Sequence, residues 1–170
     1  MPASSKRRDT KFLDPVTRKI VTAWIQRERY DGIPWHPLSK PLPACTVAIL
    51  SSGAISLKTE APFDTQGEKN NPWWGDPSFR ALPSDRSPAD FRIDHLHIDT
   101  RPAMKDINCI WPKDRLRSLA DQGKIGAVAP SHYSIMGYIL QTEELLRDTT
   151  PEIVERLKKE EVDVTLLVPV

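Results

Sequence analysis

The sequence predicts an α/β protein: a single doubly wound, mostly parallel sheet with helices on both faces, in a Rossmann-like three-layer arrangement. Two observations carry this. TVAIL at 46–50 and VTLLV inside the closing VDVTLLVPV are near-continuous apolar runs, the pattern of strands buried on both faces of a parallel sheet. Strand-like and helix-like segments alternate between them, and such alternation folds as a parallel sheet covered by helices. A length of 170 residues suits one domain with a real core, so the chain divides into a polar tail at 1–12 and a single α/β domain at 13–170.

Taken in order, LDPVTRKIVTAWIQRERY places Val16, Ile20, Trp24 and Ile25 at helical spacing with Pro15 in the first turn, which predicts an amphipathic docking helix. DGIPWHPLSKPLPAC holds four prolines, which prevent regular pairing, and reads as an ordered surface connection. TVAIL is the first core strand, closed by Ser51, Ser52 and Gly53. The span at 58–90 is rich in Pro, Gly, Asn and Asp and shows no periodicity; its Trp73 and Trp74 argue for a long, packed, ordered loop. FRIDHLHID alternates cleanly and predicts a strand with Phe91, Ile93, His95, His97 and Asp99 on one face. WPKDRLRSLADQGKIGAVAP predicts a helix over 112–122, with Pro112 at its start and Gly123 at its stop, then a short strand through Ile125 and Val128. SHYSIMGYILQTEELLRD is helical in its second half, and TTPEIVERLKKEE follows as a helix with Thr150 as cap and Pro151 in the first turn. VDVTLLVPV is the last strand.

Composition removes several classes of function. Basic and acidic residues number 24 and 23, spread along the chain, so nothing points to nucleic acid or an anionic membrane as partner. No apolar run approaches the roughly 18 residues of a membrane span, and MPASSKRRDTK lacks the apolar segment of a signal peptide, which makes a cytoplasmic location the expectation. Cys45 and Cys109 have neither redox-pair nor zinc-site spacing and are read as small core residues.

Ligands of parallel sheets bind beyond the strands' C-terminal ends. That rule marks SSG at 51–53, HID at 97–99, APSH at 129–132 and the end of the last strand as the rim of one site. His95, His97 and Asp99, at i, i+2 and i+4 of one strand, leave three uses open: bonding to neighbouring backbone, holding a metal, or acid–base work. The SSG turn offers two hydroxyls and main-chain N–H groups to a carboxylate or phosphate; without a second glycine or a GxxxxGK it is not a nucleotide loop. His132 either reaches the same crevice or caps its turn. The expected catalytic set is His97, Asp99 and His132, with His95 supporting; the expected substrate-binding set is Ser51, Ser52, Gly53 and Ser131; no metal is assigned.

Six ordered pieces, GIPWHPLSKPL, AILSSGAISLKTEAPFD, GDPSFRALPSD, IDHLHIDT, INCIWPKDRLRSLADQGKIGAVAPSHYSIMGYI and DVTLLVPV, resemble the selenoprotein B family of glycine, sarcosine, betaine and D-proline reductases, most of all its short stand-alone branch. The resemblance spans roughly residues 30–170 and includes the unusual LK-x-x-x-PFD at 57–64. It implies reduction of a small-molecule substrate by a selenocysteine or cysteine placed after the final strand. A nearby thiol, a thiol reductant or redox partner protein, and a pyruvoyl-bearing subunit would work with it, and a homo-oligomer is possible. At a strand's C-terminal end and a helix's N-terminus such a residue would have a lowered pKa. The chain stops at Val170, before that residue. Since UGA encodes selenocysteine and otherwise terminates, the expectation is a UGA codon after Val170, followed in frame by Pro, a second Cys and a helix. As alternatives the residues leave a non-catalytic small-molecule binding or interaction module and a metal-dependent hydrolase built on the HxHxD segment.

Overall fold

The computed structural model describes residues 14–27, 36–71 and 73–170. The chain divides into two compact units, Met1–Pro37 and Leu38–Val170. In the first, helix α1 (Pro15–Arg27) starts where expected: Asp14 Oδ1 accepts hydrogen bonds from the N–H groups of Val16 and Thr17, at 3.0 and 3.1 Å. The tail at 1–12 and the side chains of Ile20, Trp24 and Ile25, on which the docking face depends, lie outside the described residues.

The second unit runs β1 (Thr46–Ser51), β2 (Ile55–Leu57), α2 (Thr65–Asn70), β3 (Phe79–Pro83), β4 (Phe91–Ile93), α3 (Arg101–Lys105), α4 (Lys113–Asp121), β5 (Ala127–Val128), β6 (Ser131–Ile135), a π-helical turn (Leu145–Thr149), α5 (Thr150–Lys159) and β7 (Val164–Val168). Strand β1 is central. On one side it pairs parallel with β7, from Val47 with Val164 to Ser51 with Val168; on the other it pairs parallel with β5 and β6 in succession. β3 closes that side antiparallel to β6, and β2 and β4 form a separate antiparallel ribbon. The α/β class and a central sheet are as expected. The antiparallel edge strand β3 and the separate β2–β4 ribbon are departures from the expected Rossmann-like, doubly wound, mostly parallel arrangement.

Successive side chains of a strand point to opposite faces, and β6 shows which helix covers which. His132 lies edge-on to Trp111 just before α4, while Tyr133 meets Phe79, whose ring lies under the Arg156 guanidinium of α5. Helices α4 and α5 therefore cover opposite faces. On the α4 face Val47, Ile49, Leu82, Phe91, Trp111 and Leu116 form the main core, with Phe91 and Trp111 packed edge to face at 4.8 Å. A smaller cluster of Ala54, Phe63 and Met136 sits beside it, with Arg80 over the Phe63 ring. No helix among the described residues is long and apolar enough to cross a membrane.

Three expectations change here. The alternating FRIDHLHID pairs as a strand only over Phe91–Ile93, because its partner β2 begins at Ile55 and the residue before it, Ala54, turns away with φ 50. His95, His97 and Asp99 thus lie in irregular chain at 94–100. SHYSI is a strand, so the C-terminal end of this chain segment is Ile135 and not APSH at 129–132. The span at 58–90, expected as one loop, carries α2 and β3.

Candidate functional site

The parallel strands β1, β6 and β7 all end on one rim, and Ser52 is its hub. Its N–H donates to Val168 O at 3.1 Å, and its Oγ accepts from the Val170 N–H at 2.8 Å. Buried Ser51 donates its hydroxyl to Ile110 O at 2.7 Å and accepts from the Gly53 N–H at 3.1 Å. Ala54 N–H donates to Ile135 O. Every main-chain donor from Ser52 to Ala54 is thereby committed, so the turn does not offer the N–H cradle for a carboxylate that its composition suggested. What it retains is the Ser52 hydroxyl hydrogen. Ser51→Ala should leave a buried carbonyl and a buried N–H without partners and lower stability by about 2 kcal/mol, read as a lowered urea midpoint.

The chemistry gathers beside this hub. His95 is 7% exposed, and its Nδ1 accepts the backbone N–H of His97 at 3.1 Å, which puts the ring proton on Nε2. Burial first, then the nearby His97, push its pKa below the ordinary value against the pull of Glu68, so the ring is mainly neutral at pH 7. Among the described residues that buried Nε2–H has no hydrogen-bond partner. It abuts Gly137, where an added Cβ would stand 2.5 Å from Nε2 and 2.8 Å from Ser52 O. Only glycine fits between the histidine and the hub.

His97 is half-exposed, and its ring lies 4.2 Å from that of Tyr138. Its Nε2 bonds Oε1 of Glu68, a carboxylate buried on α2 whose Oε2 has no partner among the described residues. Helix α2 is held firmly for so short an element. Asp64 caps it by accepting from the Gly67 N–H at 2.7 Å, and Asp64 N–H donates to Asp76 Oδ2 at 2.8 Å. Trp74 packs so close that a Cβ on Gly67 would meet its ring at 2.6 Å. The resulting set of Ser52, Gly137, His95, His97, Tyr138 and Glu68 can donate a hydrogen bond, hold a proton-accepting imidazole in a fixed pose, and do so where three strands end.

The remaining expected residues are elsewhere. Asp99 is exposed and pairs with Arg101 at 2.8 Å, which holds its carboxyl below the usual range. His132 is fully buried inside the sheet, level with Ile49, whose N–H donates to its Nδ1 at 3.1 Å. Ser131, at the start of β6, lines a cleft of about 600 Å³ beneath α5, away from the rim. Among the described residues no group of three or more His, Cys, Asp or Glu side chains is placed to hold a metal ion. Sequence reasoning missed Glu68, Gly137 and Tyr138. The available signal was Asp64, a capping residue four positions before a glutamate, but it sits in a stretch without periodicity.

Residues 17–169 match the family described as glycine/sarcosine/betaine reductase selenoprotein B. D-proline reductase subunit gamma of Acetoanaerobium sticklandii is 36% identical over 133 residues, which are 78% of this chain and 52% of that protein. The chain thus spans about half the length of this curated relative. No solved structure matches it. With the family match running from α1 to the end of β7, and with identity to a reductase subunit across most of the unit that carries the rim, this chain belongs to the selenoprotein B family of glycine, sarcosine and betaine reductases.

Proposed function

We propose that the chain serves a thiol- or selenol-dependent reduction of a small substrate at the rim around Ser52, with His97 as its acid–base group. The observation that supports this reading best is contiguity: the end of β7 is bonded to Ser52, the Ser52 carbonyl and His95 Nε2 both abut Gly137, and His95 Nδ1 accepts the His97 N–H. In this reading the reacting cysteine or selenocysteine follows β7. Reductive cleavage places two electrons in the substrate bond that breaks; the selenol–thiol or dithiol pair supplies them as it closes to a selenenylsulfide or disulfide. His97 takes one proton of the selenol–thiol or dithiol pair as the pair closes and passes it to the leaving atom, the pair's second proton goes to the other fragment, and a thiol reductant or redox partner protein reopens the pair. Glycine, sarcosine, betaine and D-proline, named for the family and the relative, are the substrates to try, and other subunits of a reductase complex, a pyruvoyl-bearing one included, are the partners to add. The hydrolase alternative loses its third ligand, since Asp99 is engaged by Arg101 at the surface.

The test uses protein extended in frame beyond Val170, with cysteine in place of any selenocysteine, and dithiothreitol as reductant. Substrate loss should occur in the extended protein and fall about a hundredfold in His97→Asn, the usual scale of general acid–base catalysis. Equal turnover by the 170-residue chain, or by His97→Asn, would refute the assignment.

A further inference from the structure

We infer that Glu68 is the positioning residue of His97: it holds the ring in the Nε2–H tautomer and thereby makes Nδ1 the nitrogen that exchanges protons. The inference rests on the function proposed for His97. One contact fixes the backbone of His97 and two fix its ring. His95 Nδ1 takes the His97 backbone N–H, Tyr138 lies against the ring at 4.2 Å, and Glu68 Oε1 takes Nε2. An ionised carboxylate only accepts hydrogen bonds, so the hydrogen of this pair is on Nε2 and the lone pair of the neutral ring is on Nδ1. Among the described residues nothing hydrogen-bonds Nδ1, and the side chain is 47% exposed.

Burial of Glu68 gives the arrangement its meaning. A buried carboxylate is retained against a large desolvation penalty only where a partner answers it, and among the described residues the ring of His97 is the hydrogen-bond partner of the Glu68 carboxylate. The carboxylate also sits on the most constrained piece of the neighbourhood, with Asp64 capping its helix, Asp76 bonded to the cap residue and Trp74 pressed on Gly67. This is the arrangement by which an outer carboxylate sets the tautomer and orientation of a working histidine. Proton transfer then runs between Nδ1 and a substrate atom, while Nε2–H stays on its nitrogen and Glu68 offsets the charge that forms on the ring.

Nitrogen–proton correlation NMR of histidine-labelled protein reads the tautomer directly. Wild type should show His97 with a protonated Nε2 and a bare Nδ1. Glu68→Leu should populate both neutral tautomers, whereas Glu68→Gln, whose amide oxygen still accepts, should keep the wild-type pattern. In the extended enzyme Glu68→Leu should lower kcat about 10–100-fold with KM little changed, the scale of losing an outer partner. A wild-type ring protonated on Nδ1 would overturn the inference, and so would a Glu68→Leu ring that keeps Nε2–H alone. Absence of turnover in the wild-type extended enzyme together with the expected tautomers would instead refute the reductase reading, so the two failures are distinguishable.

Discussion

Gly75→Ala should destabilise the second unit by on the order of 4 kcal/mol, beyond the usual overpacking range because the obstacle is backbone. A Cβ there would stand 1.8 Å from Tyr138 O, 2.8 Å from its carbonyl carbon and 3.2 Å from Ile139 Cα. The surrounding loop has nowhere to go. Asp76 is bonded to Asp64 N–H and to Ser78, and the next residue, Pro77, accepts the buried Thr149 hydroxyl at 2.7 Å. Relief must therefore come from moving Tyr138, the ring against which His97 packs. Gly123 is the internal control. Its φ is 68 but, its chain neighbours aside, no atom of the described residues lies within 4 Å of its Cβ position, so alanine there should cost only about 1 kcal/mol of backbone strain. Equal urea midpoints for the two variants would contradict the close contact.

Stability should also fall by about 3 kcal/mol as pH drops from 6.5 to 4, through His132 alone. Burial first, then the positive charges of Lys113 and Arg117, push this imidazole down to about 4. Its Nδ1 is already an acceptor for Ile49 N–H, and a proton there would set donor against donor. Between the ordinary histidine pKa and that lowered one, the unfolded chain binds a proton that the folded chain refuses, so the free energy of unfolding declines with pH. The contribution is constant above that window and fully lost below it. His95, shifted in the same direction, adds to the slope, whereas the lowered carboxylates of Asp99, Asp106, Asp148 and Asp163 act only below their ordinary 3.8. Denaturation series at several pH values should show the slope flattened in His132→Gln. An unchanged slope would remove His132 as its source.

Elements marked by apolar runs or bounded by proline and glycine were legible in the sequence. β1 and β7 carry near-continuous apolar runs, although of the two only β1 is buried, Leu166 and Leu167 of β7 being 42% and 66% exposed; α4 falls between Pro112 and Gly123, and α5 begins at Thr150, its first residue and not its cap, with Pro151 behind it. β6 was not, because Ser131, His132 and Ser134 read as loop. Inside the sheet the latter two use their side chains to accept from Ile49 and Ile55 N–H, which satisfies polarity that the pattern could not show to be buried. The opposite error affected FRIDHLHID. Its alternation is genuine, but pairing needs a neighbour, and Ala54 ends that neighbour. Within the site, His95 and His97 stood out by residue type, while Glu68 looks in sequence like any solvated helical glutamate. Its burial is decided by Asp64, Trp74 and His97, residues brought to it by the fold.

The junction of β5 and β6 bears on which insertions and deletions this fold can accept. Val47 pairs with Val128 while Leu50 pairs with Tyr133, so three steps along β1 correspond to five along its neighbour. The surplus, Ala129 and Pro130, is even. Side chains alternate with a period of two, so Val128 and His132 still face α4 after the interruption, and Tyr133 still faces α5. Loss of one residue of the pair would reverse that parity from Ser131 onward, driving the phenol of Tyr133 toward Trp111 and turning His132 out toward Arg156. Loss of both would restore it. Length variation at this junction is therefore open to natural relatives in steps of two and closed in steps of one.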